Sequence, residues 1–158
     1  MIRAWSLGYK KAREKAKNIY SKIGRVQCPV FNDEFVSFTS NGFRHLVRKG
    51  RIARTKNEQK KRFVLLKHAE RMVKNPTYRL KIEFEEKELI ERVNRFGTKV
   101  LVKKKAKAWT LIENIDDCTV KLVIGQVDGR GKEFLSIMGD NVQIRPVRNK
   151  RIKKQKTA

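Results

Sequence analysis

His45 stands among Arg44, Arg48, Lys49 and Arg51 in the stretch NGFRHLVRKGR, residues 41–51, and is one of 2 histidines in a chain of 158 residues. A neutral imidazole takes a proton near neutral pH, and an imidazolium gives one back. Lysine and arginine add positive charge beside it, and arginine offers phosphate oxygens a planar fork. The set suits RNA transesterification, in which a 2′-hydroxyl attacks the adjacent phosphate. That reaction needs one proton removed, one delivered to the leaving 5′-oxygen, and a phosphorane stabilised. No metal is required. Nearby cations also lower the imidazole pKa, which favours the base form.

The element carrying His45 must first be placed. Ser40 or Asn41 can cap a short helix over 41–49. At roughly 100° per residue, Phe43, Leu46 and Val47 fall within one arc. His45, Arg48 and Lys49, at i, i+3 and i+4, fall on the other side. His45 is therefore expected off the apolar stripe and beside two cations. The other histidine, His68, reads as a surface residue of a longer helix.

The neighbouring elements follow from periodicity and punctuation. Tyr9, Ala12, Ala16, Ile19, Tyr20 and Ile23 predict a basic-faced helix over 6–23, capped by Ser6 and stopped at Gly24. Two short apolar runs around Asn32-Asp33 predict a small hairpin or an extended segment. Residues 50–57 read as a basic loop. Thr55 and Glu58 form a capping-box pattern for a helix ending at Asn75-Pro76, with Leu65, Leu66, Ala69, Met72 and Val73 on one face. From Tyr78 to Glu85 the period switches to two, a half-buried strand. Leu89, Ile90, Val93 and Phe96 favour a short helix over 86–96, closed by Gly97. Residues 98–112 read as extended, broken by Lys103-Lys104-Lys105. Cys118–Ile124 and KEFLSIM, joined by the turn DGRG at 128–131, form the clearest hairpin, and a short strand over 142–145 follows. Helices followed by strands indicate an α+β fold. A tail over 146–158, rich in lysine and arginine, is expected to be disordered without a ligand.

Composition narrows the partners. Lys+Arg number 40 against 16 Asp+Glu, a formal charge of +24. Such a charge calls for an anionic partner, and nucleic acid comes first because phosphate neutralisation releases counterions. A membrane surface comes second. No apolar run reaches the ~18 residues of a spanning helix, and the N-terminus has no signal-peptide core. Cys28 and Cys118 are far apart and outside any CxxC pattern, so free thiols in a reducing cytoplasm are expected. There is no phosphate-binding glycine loop and no HExxH. The acidic stretch Glu83–Glu91 has no nearby histidine, which argues against a two-metal centre.

The order of three segments is more specific. FRHLVRKG is followed by a helix ending MVKNP and by the closing hairpin CTVKLVIGQVDGRGKEFLSIM. This order resembles the barnase–EndoU–colicin–RelE superfamily of small ribonucleases, above all its phage- and mobile-element-associated branches. The resemblance spans roughly residues 26–138. It implies an α+β fold with N-terminal helices packed on a roughly four-stranded antiparallel sheet. It implies metal-independent endonucleolytic cleavage of tRNA or mRNA to a 2′,3′-cyclic phosphate, without a cofactor. It also implies an acidic antitoxin or immunity protein as a second partner. His45 matches the helix histidine that moves protons. Arg48 and Lys49 fall in the basic turn expected to hold phosphate. Ser136 matches the hydroxyl residue of the last strand. Many relatives carry a second histidine shortly after the first, where this chain has Lys49 and Gly50.

The sequence thus predicts three segments: a basic N-terminal helix (1–25), a ribonuclease-like domain (26–145) with a candidate insertion (86–108), and the basic tail. Candidate catalytic residues are His45, Arg48, Lys49 and Ser136. Candidate RNA ligands are Arg44, Arg51, Arg54, Lys121 and Lys132, with Trp109, Phe43 or Tyr78 as stacking surfaces. A basic RNA- or DNA-binding protein without chemistry remains the alternative, as does a domain that docks an acidic protein. The expected location is cytoplasmic, in the producing cell or in a cell to which the chain is delivered.

Overall fold

A computed structural model describes residues 1–77 and 79–145. Tyr78 and the tail over 146–158, and the expectations placed on them, lie outside the described residues. The chain opens with β1 (Ile2–Arg3) and α1 (Tyr9–Ile23), followed by β2 (Arg25–Cys28), β3 (Glu34–Ser37) and α2 (Ser40–Val47). A small hairpin, β4 (Arg48–Lys49) and β5 (Ile52–Ala53), leads into α3 (Lys56–Lys74). Four strands come next, β6 (Lys81–Arg95), β7 (Thr98–Ile115), β8 (Cys118–Val127) and β9 (Lys132–Gly139), and β10 (Val142–Gln143) pairs with β1.

Local chemistry fixes the helix ends. The Glu58 N–H donates to Thr55 Oγ1 at 3.2 Å, the cap expected from their spacing. Gly24, with φ near 63°, closes α1. The start of α1 differs from expectation, since Gly8 rather than Ser6 occupies the cap and no side chain bonds there. Helix α3 buries more than its expected stripe: Phe63 and Val64 are buried together with Leu65, Leu66, Ala69, Met72 and Val73. It packs against α1 on one side and the sheet on the other, so its buried face is wider than a single stripe. Each such large side chain contributes about 1.5–3 kcal/mol by leaving water. Tyr20 of α1 sits in the same core, edge-on to Phe38, Phe43 and Phe134.

The main sheet has six strands in the order β2-β3-β9-β8-β7-β6. The architecture is α+β, but the sheet is larger than the expected four strands and is mixed. Hairpin β2–β3 joins it through a short parallel match of β3 with β9, Val36 to Lys132 and Ser37 to Glu133. Beyond Glu133 the outer edge of β9 has no strand partner among the described residues. Helices α2 and α3 lie against it instead.

The segment expected to be a short helix is strand over 86–95, with Phe96 in the turn that follows. It pairs without interruption with 98–107, and Lys103-Lys104-Lys105 do not break β7. Leu89, Ile90 and Val93 satisfy either spacing, and long-range pairing decides between them. Strand β6 is also more exposed than a half-buried strand, with Ile82 and Phe84 open to solvent. Residues 86–108 are thus the continuation of two sheet strands. Cys28 and Cys118 are buried free thiols. Among the described residues no helix is long and apolar enough to cross a membrane.

Candidate functional site

Helix α2 is seated by a glycine. A Cβ on Gly42 would overlap the Phe134 carbonyl and the Tyr20 hydroxyl, so only glycine lets the helix lie this close to β9. Phe43, Leu46 and Val47 then face the core. Asn41 and His45, four residues apart, are left on the outer side, facing the open surface of the sheet. The expectation that His45 lies off the apolar stripe holds.

The two cations expected to share its helix face do not. Helix α2 ends at Val47, and Arg48 is extended, with φ near −134° and ψ near 147°. Arg48 and Lys49 pair with Ala53 and Ile52 across a turn in which Gly50 has φ near 62°. Arg48, Lys49 and Arg51 are therefore exposed on the hairpin after α2. Arg54 comes to His45 instead. Its Nε donates to the His45 carbonyl at 3.1 Å, capping one of the orphan carbonyls at the end of α2. Gln59 Nε2 donates to the Arg54 carbonyl at 2.8 Å, and the Tyr9 hydroxyl donates to Gln59 Oε1 at 2.5 Å. This chain of bonds runs from α1 through α3 to the histidine's own backbone. Partial burial, with Arg54 and Arg44 nearby, lowers the His45 pKa below its ordinary 6.5. The imidazole is therefore the neutral, basic form at pH 7.

His45 overlooks a cleft of about 310 Å³ on the open face of the sheet. Its floor is small and apolar: Ala106 and Ala108 of β7 and Gly125 of β8. Register places Glu85, Ala108, Gly125 and Glu133 in one row across four strands. Leu89, Val127 and Leu135 form apolar walls, and Lys87 and Arg130 stand at the rim. A Cβ on Gly125 would collide with the Leu135 side chain. Leu135 itself is the extra residue of an irregularity in the β8–β9 ladder, where Val123 pairs with Ser136 but Ile124 pairs with Phe134. Such a bulge re-aims a side chain.

Ser136 does not line the cleft. Its Oγ accepts from Arg62 Nη1 at 2.8 Å, and the same nitrogen donates to the Ile137 carbonyl at 3.1 Å. Arg62 thus satisfies one main-chain carbonyl of β9 together with the Ser136 hydroxyl. Burial and the nearby Arg54 lower the Arg62 pKa, without removing its charge at neutral pH.

The remaining candidates divide. Lys132 is 8% exposed. It is bonded to Glu34 at 2.6 Å and lies over the Phe31 and Trp109 rings. It is a structural cation, not an exposed RNA ligand. Lys121 is exposed on the cleft's face of the sheet but outside the cleft. Arg44 lies across α2 in a groove with Arg13, Lys17 and Arg48. Phe43 is stacked on Phe63 in the core, and Trp109 packs edge-on against Phe31. Neither offers a free face for a base. His68 is not simply a surface residue, because its Nε2 is buried and its pKa is lowered, chiefly by burial.

Sequence reasoning missed Asn41, Gln59, Arg62, Glu85, Glu133 and Arg130. Gln59 and Arg62 share α3 and Asn41 lies one turn before His45 on α2, but Glu85, Arg130 and Glu133 come from elements far along the chain that no local spacing joins to them. Among the described residues no group of three His, Cys, Asp or Glu side chains could hold a metal ion. No protein-family model, curated protein or solved structure matches the chain.

Proposed function

We propose that the chain is an endoribonuclease that cuts RNA by metal-independent transesterification at the cleft beside His45. The observation that carries this reading is the position of that histidine. It is held off the core, kept neutral by partial burial and two guanidinium groups, and faces a cleft with a small apolar floor. His45 takes the proton of the 2′-hydroxyl. The 2′-oxygen bonds to phosphorus, the bond to the 5′-oxygen breaks, and that oxygen takes a proton from solvent. A 2′,3′-cyclic phosphate remains. Arg54 and the rim cations Lys87 and Arg130 offset the charge of the phosphorane. The floor of Ala106, Ala108 and Gly125 accepts the face of an unpaired base, with Asn41, Glu85 and Glu133 at its edges. Arg48, Lys49, Arg51 and Lys121 hold flanking phosphates.

The resemblance to the barnase–EndoU–colicin–RelE superfamily supports the same reading through His45. It extends the proposal to a tRNA or mRNA substrate, to an effector of a toxin, phage or mobile element, and to an acidic inhibitor. Such an inhibitor would be drawn rapidly to so basic a surface. Ser136, already bonded to Arg62, serves as a positioning residue in this scheme.

One observation favours a second reading. The cations are not gathered at the cleft: α1 exposes Lys10, Lys11, Arg13, Lys15, Lys17 and Lys22 on another side. A binding protein without chemistry would look the same there. The separating experiment incubates labelled tRNA and mRNA with the full chain in excess EDTA, beside His45→Ala. Cleavage by the wild type that is lost in the variant supports the nuclease. Tight, salt-sensitive binding with no cleavage by either supports the binding protein.

A further inference from the structure

Strands β6 and β7 run far beyond the sheet. Strand β8 accompanies β7 only from Ile115 back to Ala106. From Leu89 paired with Lys104 to Arg95 paired with Thr98, the two strands have no third strand beside them among the described residues, and Arg130 reaches Glu91 from the β8–β9 turn. At about 3.4 Å per residue this ribbon projects roughly 25 Å. A ribbon with no layer against either face buries too little to justify itself as a folding element. Its composition points outward.

Register assigns its faces. Ile90 and Arg92 stand opposite Lys103 and Leu101, and Lys99 lies on the same face. Arg92, Lys99, Lys103 and Lys105 on this face are all exposed, and they share it with Glu88, which stands opposite Lys105. Lys105 is also 4.0 Å from Glu86. The other face carries Val93, Val100 and Val102, with Glu91 bound to Lys104 at 2.9 Å. At the tip Phe96 is 107% exposed, in a left-handed conformation with φ near 51°. The root of the ribbon lines the cleft with Lys87 and Leu89, which lie on the face of Val93, Val100 and Val102 and not on the face of Arg92, Lys99, Lys103 and Lys105.

We propose that this ribbon is a second RNA-binding element, whose cationic face grips a base-paired stem across the β6 edge of the sheet from the strand held in the cleft. The inference rests on the proposed ribonuclease reading for its choice of RNA, but its test does not depend on cleavage. Three features favour a stem. The cationic face follows a line of phosphates over a length far greater than one nucleotide. It has no aromatic side chain along its length, whereas single-strand surfaces interleave cations with stacking rings. Base-paired RNA is recognised through its shape and phosphates. Phe96, the one aromatic, stands at the tip, where it can cover the last base pair or enter a loop. Pairing of the ribbon's edges with a second copy is opposed by Lys103-Lys104-Lys105 along β7, a charge run that discourages edge-to-edge association.

The test replaces residues 90–103 with Asn-Gly, a two-residue turn that joins the cross-strand neighbours Leu89 and Lys104. The excised segment holds four cations and one carboxylate. Fluorescence anisotropy then compares the full and shortened chains on two probes. One is an unpaired RNA octamer. The other carries the same octamer beside a 12-base-pair stem. Shortening is expected to weaken binding of the stem probe about tenfold or more and to reduce its salt slope by about two to three, while octamer affinity stays within about threefold. Phe96→Ala, which keeps every cation, is expected to weaken stem binding about threefold with an unchanged salt slope. Equal loss on both probes, or no loss on either, overturns the proposal. So does a wild type that dimerises through the ribbon in sedimentation. Failure of the nuclease reading shows itself separately, as absence of cleavage by the full chain.

Discussion

Replacing Gly42 with alanine sets two physical effects against each other. Helix propensity favours alanine over glycine by up to about 1 kcal/mol. Sterics oppose it, because the new Cβ meets the Phe134 carbonyl, the Tyr20 hydroxyl and the Phe134 ring. Two of these three cannot swing aside: one is main chain, and the ring is packed against Phe38. Overpacking of this kind costs about 1–3 kcal/mol. The net expectation is a loss of about 1–2 kcal/mol, which lowers Tm by about 3–8 °C in a domain of this size. Helix α2 must back away from β9, and His45 moves with it. A displacement near 1 Å costs about 100-fold in rate where geometry governs the reaction, so cleavage should fall more than the loss of folded protein explains. Gly8→Ala is the control, since a Cβ there meets nothing within 4 Å. Thermal denaturation and the RNA cleavage assay, run on both variants and the wild type, give the answer. A Gly42→Ala protein with Tm equal to or above wild type would refute the seating of α2 on β9.

Arg62→Met removes the bonds to Ser136 and to the Ile137 carbonyl. It should cost about 1–2 kcal/mol in denaturant unfolding, and an unchanged midpoint would show that the edge of β9 needs no cap. Glu113, 4% exposed, accepts from Arg71 at 2.5 Å and from the Thr77 N–H at 3.1 Å. Glu113→Gln should therefore destabilise by about 1–3 kcal/mol, with little change if Arg71, which is partly exposed, is rehydrated freely. His45 and His68 both have folded pKa values below the free value of 6.5. Just below that pH the unfolded chain binds more protons, so stability rises with pH there. Their contribution is complete above 6.5 and is lost as pH falls through the folded values. Tm should drop between about pH 7 and 5, and the double variant His45→Gln/His68→Gln should flatten that slope.

Much of the scaffold was legible because it depends on neighbours in sequence. The Thr55 cap, the Gly24 stop, the Asn32-Asp33 turn and the outward direction of His45 each follow from a few residues. What was not legible depends on partners far along the chain. Arg48 and Lys49 leave the helix because Ile52 and Ala53 bind them across Gly50. The segment 86–95 is a strand because 98–107 lies beside it, and with both faces largely in solvent it carries no burial pattern to declare its period. The sheet gains its extra strands through a two-pair parallel match that leaves no mark in either sequence. The cleft was hidden for the same reason. Its floor is alanine and glycine, residues without functional groups, brought together in two neighbouring rows by register alone.

The central claim is that the 2′-hydroxyl attacks at the cleft beside His45. The most direct measurement maps the cut in a wild-type digest made in excess EDTA, then repeats the digest on RNA bearing a single 2′-deoxynucleotide on the 5′ side of that phosphate. The expected result is a 2′,3′-cyclic phosphate end on the natural substrate, and no cut but undiminished binding on the substituted one. Continued cleavage at the substituted position, or no cut to map in the natural RNA, would contradict the account.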